Sequence, residues 1–130
     1  MVEKIPISKL ENLYIGMLYT DVINLIRNEN IRGTQDMKNG YKWLHIWINP
    51  FDSRILSSLC FYEDQLEMIL IYPQINDFSK PRSWDDANEK NMNKEYKVCK
   101  KWFSKYKKHL PHSAEVFKDI RNWDAGICIR

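Results

Sequence analysis

The sequence of 130 residues contains no recognisable catalytic or metal-binding motif. No stretch approaches the roughly 20 consecutive apolar residues that cross a membrane. Residues 1–10 hold no continuous apolar run, so we expect neither a signal peptide nor a membrane protein. No internal repeat or low-complexity linker interrupts the chain, and its length predicts a single domain over residues 1–130.

Cysteine is scarce, with three widely spaced residues, Cys60, Cys99 and Cys128. Each lies in an apolar pattern, and an odd, dispersed set does not fit a disulfide framework. We therefore expect three reduced, buried thiols in a cytoplasmic protein. The net charge is also small, +3 at pH 7, well short of that of a dedicated nucleic-acid binder.

Groupings of reactive side chains are few and weak. His109 and His112 form a His-x-x-His pair, but Pro111 between them breaks any common helical face. His45 and Cys60 fall on neighbouring predicted strands, yet Cys60 lies in an apolar run that does not favour a thiolate. We expect no metal, no cofactor and no enzymatic activity.

Three consecutive segments, residues 41–48, 55–61 and 66–72, predict an antiparallel meander. Each is short, rich in β-branched and aromatic residues, and bounded by residues typical of turns. Apolar residues at helical spacing after Gly16 predict a short helix before the meander, ending near Asn28. Residues 31–38 read as a loop between this helix and the first strand.

Alternation along residues 41–48 separates an aliphatic face from an aromatic face. The aromatic face carries Tyr41, Trp43, His45 and Trp47. Trp and Tyr dominate binding hot spots, which makes this face a candidate partner-binding site. The alternative is that the long helix or the C-terminal hairpin covers the face and makes it part of the core.

Residues 83–110 predict one long amphipathic helix. A capping box at its start and Pro111 after its end set these bounds. One stripe is apolar and comprises Met92, Tyr96, Cys99, Phe103, Tyr106 and Leu110, with Val98 and Trp102 beside it. The opposite stripe is rich in lysine.

The lysine stripe is an alternative, phosphate-binding site made of Lys94, Lys97, Lys101 and Lys105. It contains no arginine, the residue that donates paired hydrogen bonds to base edges and to phosphate groups. The solvated face of an ordinary amphipathic helix is the favoured explanation of this stripe. We therefore expect a protein partner rather than nucleic acid.

The C-terminal residues predict a hairpin with strands at 116–122 and 126–130 and a turn at 123–126. The complete pattern predicts an α+β fold. It has a single, mainly antiparallel sheet made of the three-stranded meander and the C-terminal hairpin, with a short N-terminal helix and one long amphipathic helix.

Residues 10–72 resemble the helix-plus-sheet module of the β-lactamase-inhibitor-protein-like superfamily, which outer-membrane assembly lipoproteins of the SmpA/OmlA type share. The resemblance lies in Gly16-Met17 before a helix with Asp21-Val22, and in the segment from Phe61 to Ile69. It implies a non-enzymatic domain that grips a partner with an aromatic, concave sheet face, here Tyr41, Trp43 and Trp47. Gln65 stands where that module has a turn glycine, and the lipid-attachment cysteine of the lipoproteins is missing.

The leading hypothesis is a cytoplasmic, non-enzymatic protein-binding domain of the inhibitor or immunity type. Its partner and its oligomeric state are not encoded in any pattern described above.

Overall fold

The computed structural model describes residues 13–26, 28–49, 54–75 and 87–130. The elements in chain order are α1 (Tyr19–Leu25), β1 (Ile31–Asp36), β2 (Tyr41–Ile48), β3 (Ile55–Tyr62), β4 (Gln65–Tyr72), α2 (Glu89–Tyr106), β5 (Glu115–Asp119) and β6 (Asp124–Ile129). All strands join one antiparallel sheet in the order β1-β2-β3-β4-β6-β5. The predicted α+β class, with one short and one long helix, is confirmed.

Strand β1 replaces the loop predicted over residues 31–38, and that prediction is wrong. It pairs with β2, with Thr34 opposite Leu44 and Asp36 opposite Lys42. β1 lies at an edge of the sheet and buries no residue completely, so its sequence lacks the apolar alternation by which strands are recognised. The turn to β2 uses positive φ angles at Lys38 and Gly40.

The turn from β3 to β4 is a tight hairpin with positive φ at Glu63 and Asp64. A register shift follows, because Phe61 lies opposite Leu66 whereas Cys60 lies opposite Met68. This bulge reverses the alternation of β4. Leu66 is buried in the core, while the next residues of its predicted stripe, beginning with Met68, point to the other face.

The hydrophobic core lies on the aliphatic face of the sheet. It contains fully buried side chains from β2, β3, β4 and β6, among them Leu44, Ile46, Leu59, Phe61, Ile71 and Ile127. Helix α1 contributes Val22, and the ring of Tyr19 meets that of Phe61 edge-on at 5.0 Å. Burying these side chains is the main favourable term in folding.

Helix α2 is shorter than predicted. Its first turn is capped by Asn88, whose side-chain oxygen accepts a hydrogen bond from the backbone of Asn91 at 2.9 Å. The predicted start and capping box at residues 83–86 lie outside the described residues. The α-helix ends at Tyr106, a short 3₁₀ turn follows, and Leu110 is extended because it precedes Pro111.

The buried face of α2 agrees with the predicted apolar stripe in its centre. Cys99 is completely buried and Met92 nearly so, and Phe103 is partly buried against the same core. Val98, predicted beside this stripe, is 47% exposed. Since Lys101 is exposed, the helix has the predicted orientation.

The C-terminal hairpin turns earlier than predicted. Strand β5 ends at Asp119, β6 begins at Asp124, and the turn occupies residues 120–123 rather than 123–126. The carboxylate of Asp119 accepts hydrogen bonds from the Arg121 backbone and the Asn122 side chain, which favours this turn. Gly126 therefore lies within β6 instead of in the turn.

All three cysteines are free and buried, as predicted. Within the described ranges, no helix is long and apolar enough to cross a membrane.

Candidate functional site

The aromatic residues of β2 lie on the face of the sheet opposite the core. They alternate with Leu44 and Ile46, which are completely buried. Helix α2 joins the core on the aliphatic face, where Cys99 is buried with Ile127. The C-terminal hairpin extends the sheet edge to edge instead of folding over the aromatic face. Among the described elements, neither helix covers this face, which we call the open face.

The strand register sets the composition of the open face. Trp43 lies beside Cys60, His45 beside Ser58, and Trp47 beside Leu56 on β3. The next strands add Met68, Leu70 and Tyr72 from β4, Cys128 from β6 and Phe117 from β5. Large side chains on β2, β4 and β5 thus alternate with small side chains on the strands between them, Ser58 and Cys60 on β3 and Cys128 on β6. The small side chains leave a groove.

This groove has a volume of about 740 Å³ and crosses the sheet from β1 to the β5–β6 turn. Trp43 and His45 line it, together with Ser58 from the neighbouring strand. Tyr41 and Trp47 belong to the same face but do not line the groove. The end of the groove at the β5–β6 turn is lined by charged side chains, among them Lys118, Asp119, Arg121 and Asp124. A concave groove that combines apolar side chains with polar ones is the usual form of a binding site.

His45 is a partly buried polar residue of the groove. Its Nδ1 lies 2.7 Å from the hydroxyl oxygen of Ser58, and its ring is nearly parallel to that of Trp43, with centroids 6.2 Å apart. Burial lowers the pKa of His45, and the positive charge of Arg32 lowers it further. The imidazole is therefore neutral at pH 7.

The pairing of His45 with Cys60 considered from the sequence does not occur, because the register places Cys60 beside Trp43. Burial raises the pKa of Cys60, and the nearby carboxylate of Glu67 raises it as well. Both effects disfavour the nucleophilic thiolate.

Tyr41, Trp43, His45 and Trp47 follow one another along β2 and are called the aromatic row. Two arginines lie over Trp47 at one end of this row. The guanidinium carbons of Arg32 and Arg54 are 5.8 Å and 5.9 Å from the centroid of its ring, within cation–π range. Arg54 also donates to the side-chain oxygen of Asn30 at 3.4 Å. No sequence pattern indicates this cluster, because β1 lacks the apolar alternation of a strand.

Tyr41 lies at the opposite end of the row, where its ring meets that of Tyr62 at 4.7 Å. Both rings are exposed, by 37% and 43%. The carboxylate of Glu67 is the main cause that raises the pKa of the Tyr41 hydroxyl, because a second negative charge nearby is unfavourable. A carboxylate, that of Glu67, therefore acts at this end of the row.

Several residues of the open face escape prediction from sequence. Alternation within β3 already puts Ser58 and Cys60 on one side, but only the register shows which aromatic residue each one meets. The contributions of β5 and β6 depend on their pairing with β4, a contact between residues more than 50 positions apart along the chain. No local pattern encodes such a contact.

The lysine stripe of the alternative site lies on the outer surface of α2. Lys94, Lys97, Lys101 and Lys105 are all exposed. The ammonium of Lys105 lies 5.2 Å from the Tyr106 ring centroid. The stripe is therefore a solvated surface on the opposite side of the sheet from the groove.

Potential metal ligands do not converge in the part of the chain that the structure describes. His109 and His112 are exposed at the end of α2. The thiol of Cys99 instead donates to the side-chain oxygen of Gln74 at 3.1 Å.

The arrangement as a whole offers an aromatic row, a groove of mixed polarity and a neutral imidazole on a sheet face that neither described helix covers. No family model, curated protein or solved structure matches the chain, so its function has to be argued from this face.

Proposed function

We propose that the protein is a non-enzymatic protein-binding domain that holds its partner on the open face, through Tyr41, Trp43, His45 and Trp47. The observation that carries the proposal is the position of α2. This helix packs against β5 and β6 on the aliphatic side of the sheet, and the aromatic row of β2 lies outside the core.

The composition of the row supports a protein interface. Aromatic residues and arginine are enriched among the residues that contribute most to binding, and here Trp47 lies under two guanidinium groups. Trp43 and Trp47 are about 13 Å apart along the strand at ~3.3 Å per residue. That spacing allows two anchors within one patch of ordinary interface size.

The polar groups of the groove suit binding better than catalysis. Ser58 is 4% exposed, and its hydroxyl is already engaged by His45. Among the described residues, no carboxylate accepts a hydrogen bond from this imidazole, whereas an activated serine needs such an orienting group. We therefore assign His45 and Ser58 to recognition.

An inhibitor or immunity-type role in the cytoplasm is the finer form of the proposal. The resemblance of residues 10–72 to the β-lactamase-inhibitor-protein-like module implies a partner held on an aromatic sheet face. The three free thiols suit a reducing compartment.

The test is capture of partners from a cell extract by the immobilised protein. Trp43→Ala and Trp47→Ala should each lose the captured protein while keeping the thermal unfolding midpoint close to that of the wild type. Truncation of an interface anchor typically costs more than ~2 kcal/mol of binding energy. A large fall in the unfolding midpoint of both variants would instead make these residues part of the core.

A matched variant with four Lys→Gln changes, at Lys94, Lys97, Lys101 and Lys105, should bind as the wild type does. If only this variant loses binding, and nucleic acid is the captured species, the lysine stripe replaces the open face as the site. Binding through that stripe would also weaken with salt, with a log–log slope of about −0.9 per phosphate contact on duplex DNA.

A further inference from the structure

The aromatic row carries opposite charges at its two ends. Arg32 lies over Trp47 at one end, 5.8 Å from the ring centroid, and its charge depresses the pKa of His45. Glu67 lies towards the other end, exposed on β4 next to Met68, which pairs with Cys60. Its charge raises the pKa of both Tyr41 and Cys60. Further charged residues on β5, β6 and their turn line the groove beside the row, among them Lys118, Arg121 and Arg130.

Neither charge is neutralised within the described part of the chain. Among those residues, no carboxylate lies within ion-pair distance of Arg32 and no cation lies within that distance of Glu67. Lys42 shows the contrast, because its ammonium lies 2.7 Å from the carboxylate of Asp64. Arg32 and Glu67 are both exposed, so an outside partner can reach the guanidinium and the carboxylate.

The two charges are also too far apart to neutralise each other. Tyr41 and Trp47, which mark the two ends, are separated by six residues, or about 20 Å at ~3.3 Å per residue. The Debye length at physiological ionic strength is about 8 Å. A binding partner has to match each end separately.

A second copy of this chain meets that requirement. In a two-fold symmetric interface, residue i of one copy contacts residue j of the other, and j contacts i. Consider a two-fold axis that lies in the plane of the interface. It crosses the line from Arg32 to Glu67 at its midpoint and at right angles. This axis brings the guanidinium of each copy to the carboxylate of the other. The aromatic residues between the two charges then face each other, in the manner of two sheets packed about 10 Å apart.

We propose that two copies of the protein pair through their open faces, with Arg32 of each copy bound to Glu67 of the other, when no other partner is present. This inference rests on the proposed function of the open face as an interface. The second copy shields the aromatic row until a heterologous partner displaces it. Burying Trp43 and Trp47 supplies the apolar contact, and the two ion pairs fix the orientation.

The experiment is sedimentation of the wild type and of charge-reversal variants over a range of concentrations. The wild type should form a dimer. Arg32→Glu places two carboxylates at each end of the interface, and Glu67→Arg places two guanidinium groups there. The dissociation constant of the dimer formed by each variant alone should be at least about tenfold higher than that of the wild type, because like charges at a close contact are repulsive.

Mixing the two variants provides the sharpest outcome. In the mixed pair, the Arg32→Glu copy carries a carboxylate at both ends of its row, and the Glu67→Arg copy carries a guanidinium at both ends. Both ion pairs therefore reform, one as in the wild type and one with its charges exchanged. The mixture should recover the dimer at wild-type strength. Lys101→Glu, which makes a matching change of charge on the outer surface of α2, should leave dimerisation unchanged.

Three results would overturn the inference. They are a wild type that stays monomeric at the highest attainable concentration, a dimer that neither reversal weakens, and variants that remain monomeric when mixed although circular dichroism shows both to be folded. A monomer that still captures a partner through Trp43 would remove the second copy and keep the proposed function. A dimer that captures no other protein would remove the heterologous role alone.

Discussion

The imidazole of His45 and the hydroxyl of Ser58 face each other across β2 and β3, with Nδ1 and Oγ 2.7 Å apart. The pair lies in the groove of the open face, where burial and the charge of Arg32 both lower the pKa of the imidazole. The folded protein therefore binds a proton at His45 less readily than the unfolded chain does.

The pH dependence of stability follows from this difference. An unfolded histidine has a pKa of about 6.5. Because the folded pKa is lower, the stabilising contribution is fully present above pH ~6.5 and is lost as the pH falls towards the folded pKa. Denaturant unfolding between pH 7 and pH 5 should show a smaller loss of stability for His45→Gln than for the wild type.

Replacing Arg32 provides the electrostatic control. Arg32→Gln removes a positive charge near the imidazole and should raise the pKa of His45 in an NMR titration. An unchanged titration would show that burial alone sets this pKa.

The sheet and its aromatic row are largely predictable from local sequence, but the finding that neither described helix covers the row is not. Alternation along β2 predicts which residues share the face of Trp43, because side chains on a strand point alternately to opposite sides. Alternation cannot tell which face α2 covers, since both faces of the meander are apolar. The packing of α2 against β6, which buries Cys99 in the same core as Ile127, decides this and joins distant parts of the chain.

The errors have local physical causes. Strand β1 carries polar side chains at an edge, and Thr34 and its neighbours give no apolar period. The bulge after Cys60 reverses the alternation of β4. Leu66 is therefore buried in the core, whereas Met68 and Leu70, predicted on the same side, line the groove. The cap by Asn88 and the extended Leu110 before Pro111 shorten α2 at its ends.

Packing of α2 can be tested at Met92, which is 4% exposed. Met92→Ala should reduce the free energy of unfolding by about 2–5 kcal/mol, through lost burial and the cavity left behind. Val98→Ala, at an exposed position of the same helix, should change it by no more than about 0.5 kcal/mol. Chemical denaturation measures both, and equal effects would contradict the orientation of the helix.

The β1–β2 turn can be tested at Gly40, whose φ is +94°. A Cβ there would be strained and would lie 3.0 Å from the ring of Tyr62. Gly40→Ala should therefore destabilise the protein by at least about 1 kcal/mol. Gly33→Ala is the matched control, because its Cβ would meet no atom within 4 Å. A larger effect at Gly33 would contradict the structure of this hairpin.

Thiol reactivity tests the burial of the cysteines. Burial raises the pKa of Cys99 to about 12, and nearby carboxylates add to the effect. Labelling of the native protein with a thiol reagent should be much slower than labelling after denaturation, because the thiolate is the reactive form. Fast labelling of native Cys60 would revive a nucleophilic role in the groove.

The most direct test of the open face as the binding surface is hydroxyl-radical footprinting of aromatic side chains. The protein at high dilution is compared with its complex, formed either with a captured partner or with a second copy. Oxidation of Trp43 and Trp47 should fall in the complex, while that of Trp102 and Tyr106 on α2 stays unchanged. Protection of Trp102 and Tyr106, with Trp43 and Trp47 still oxidised, would contradict the account.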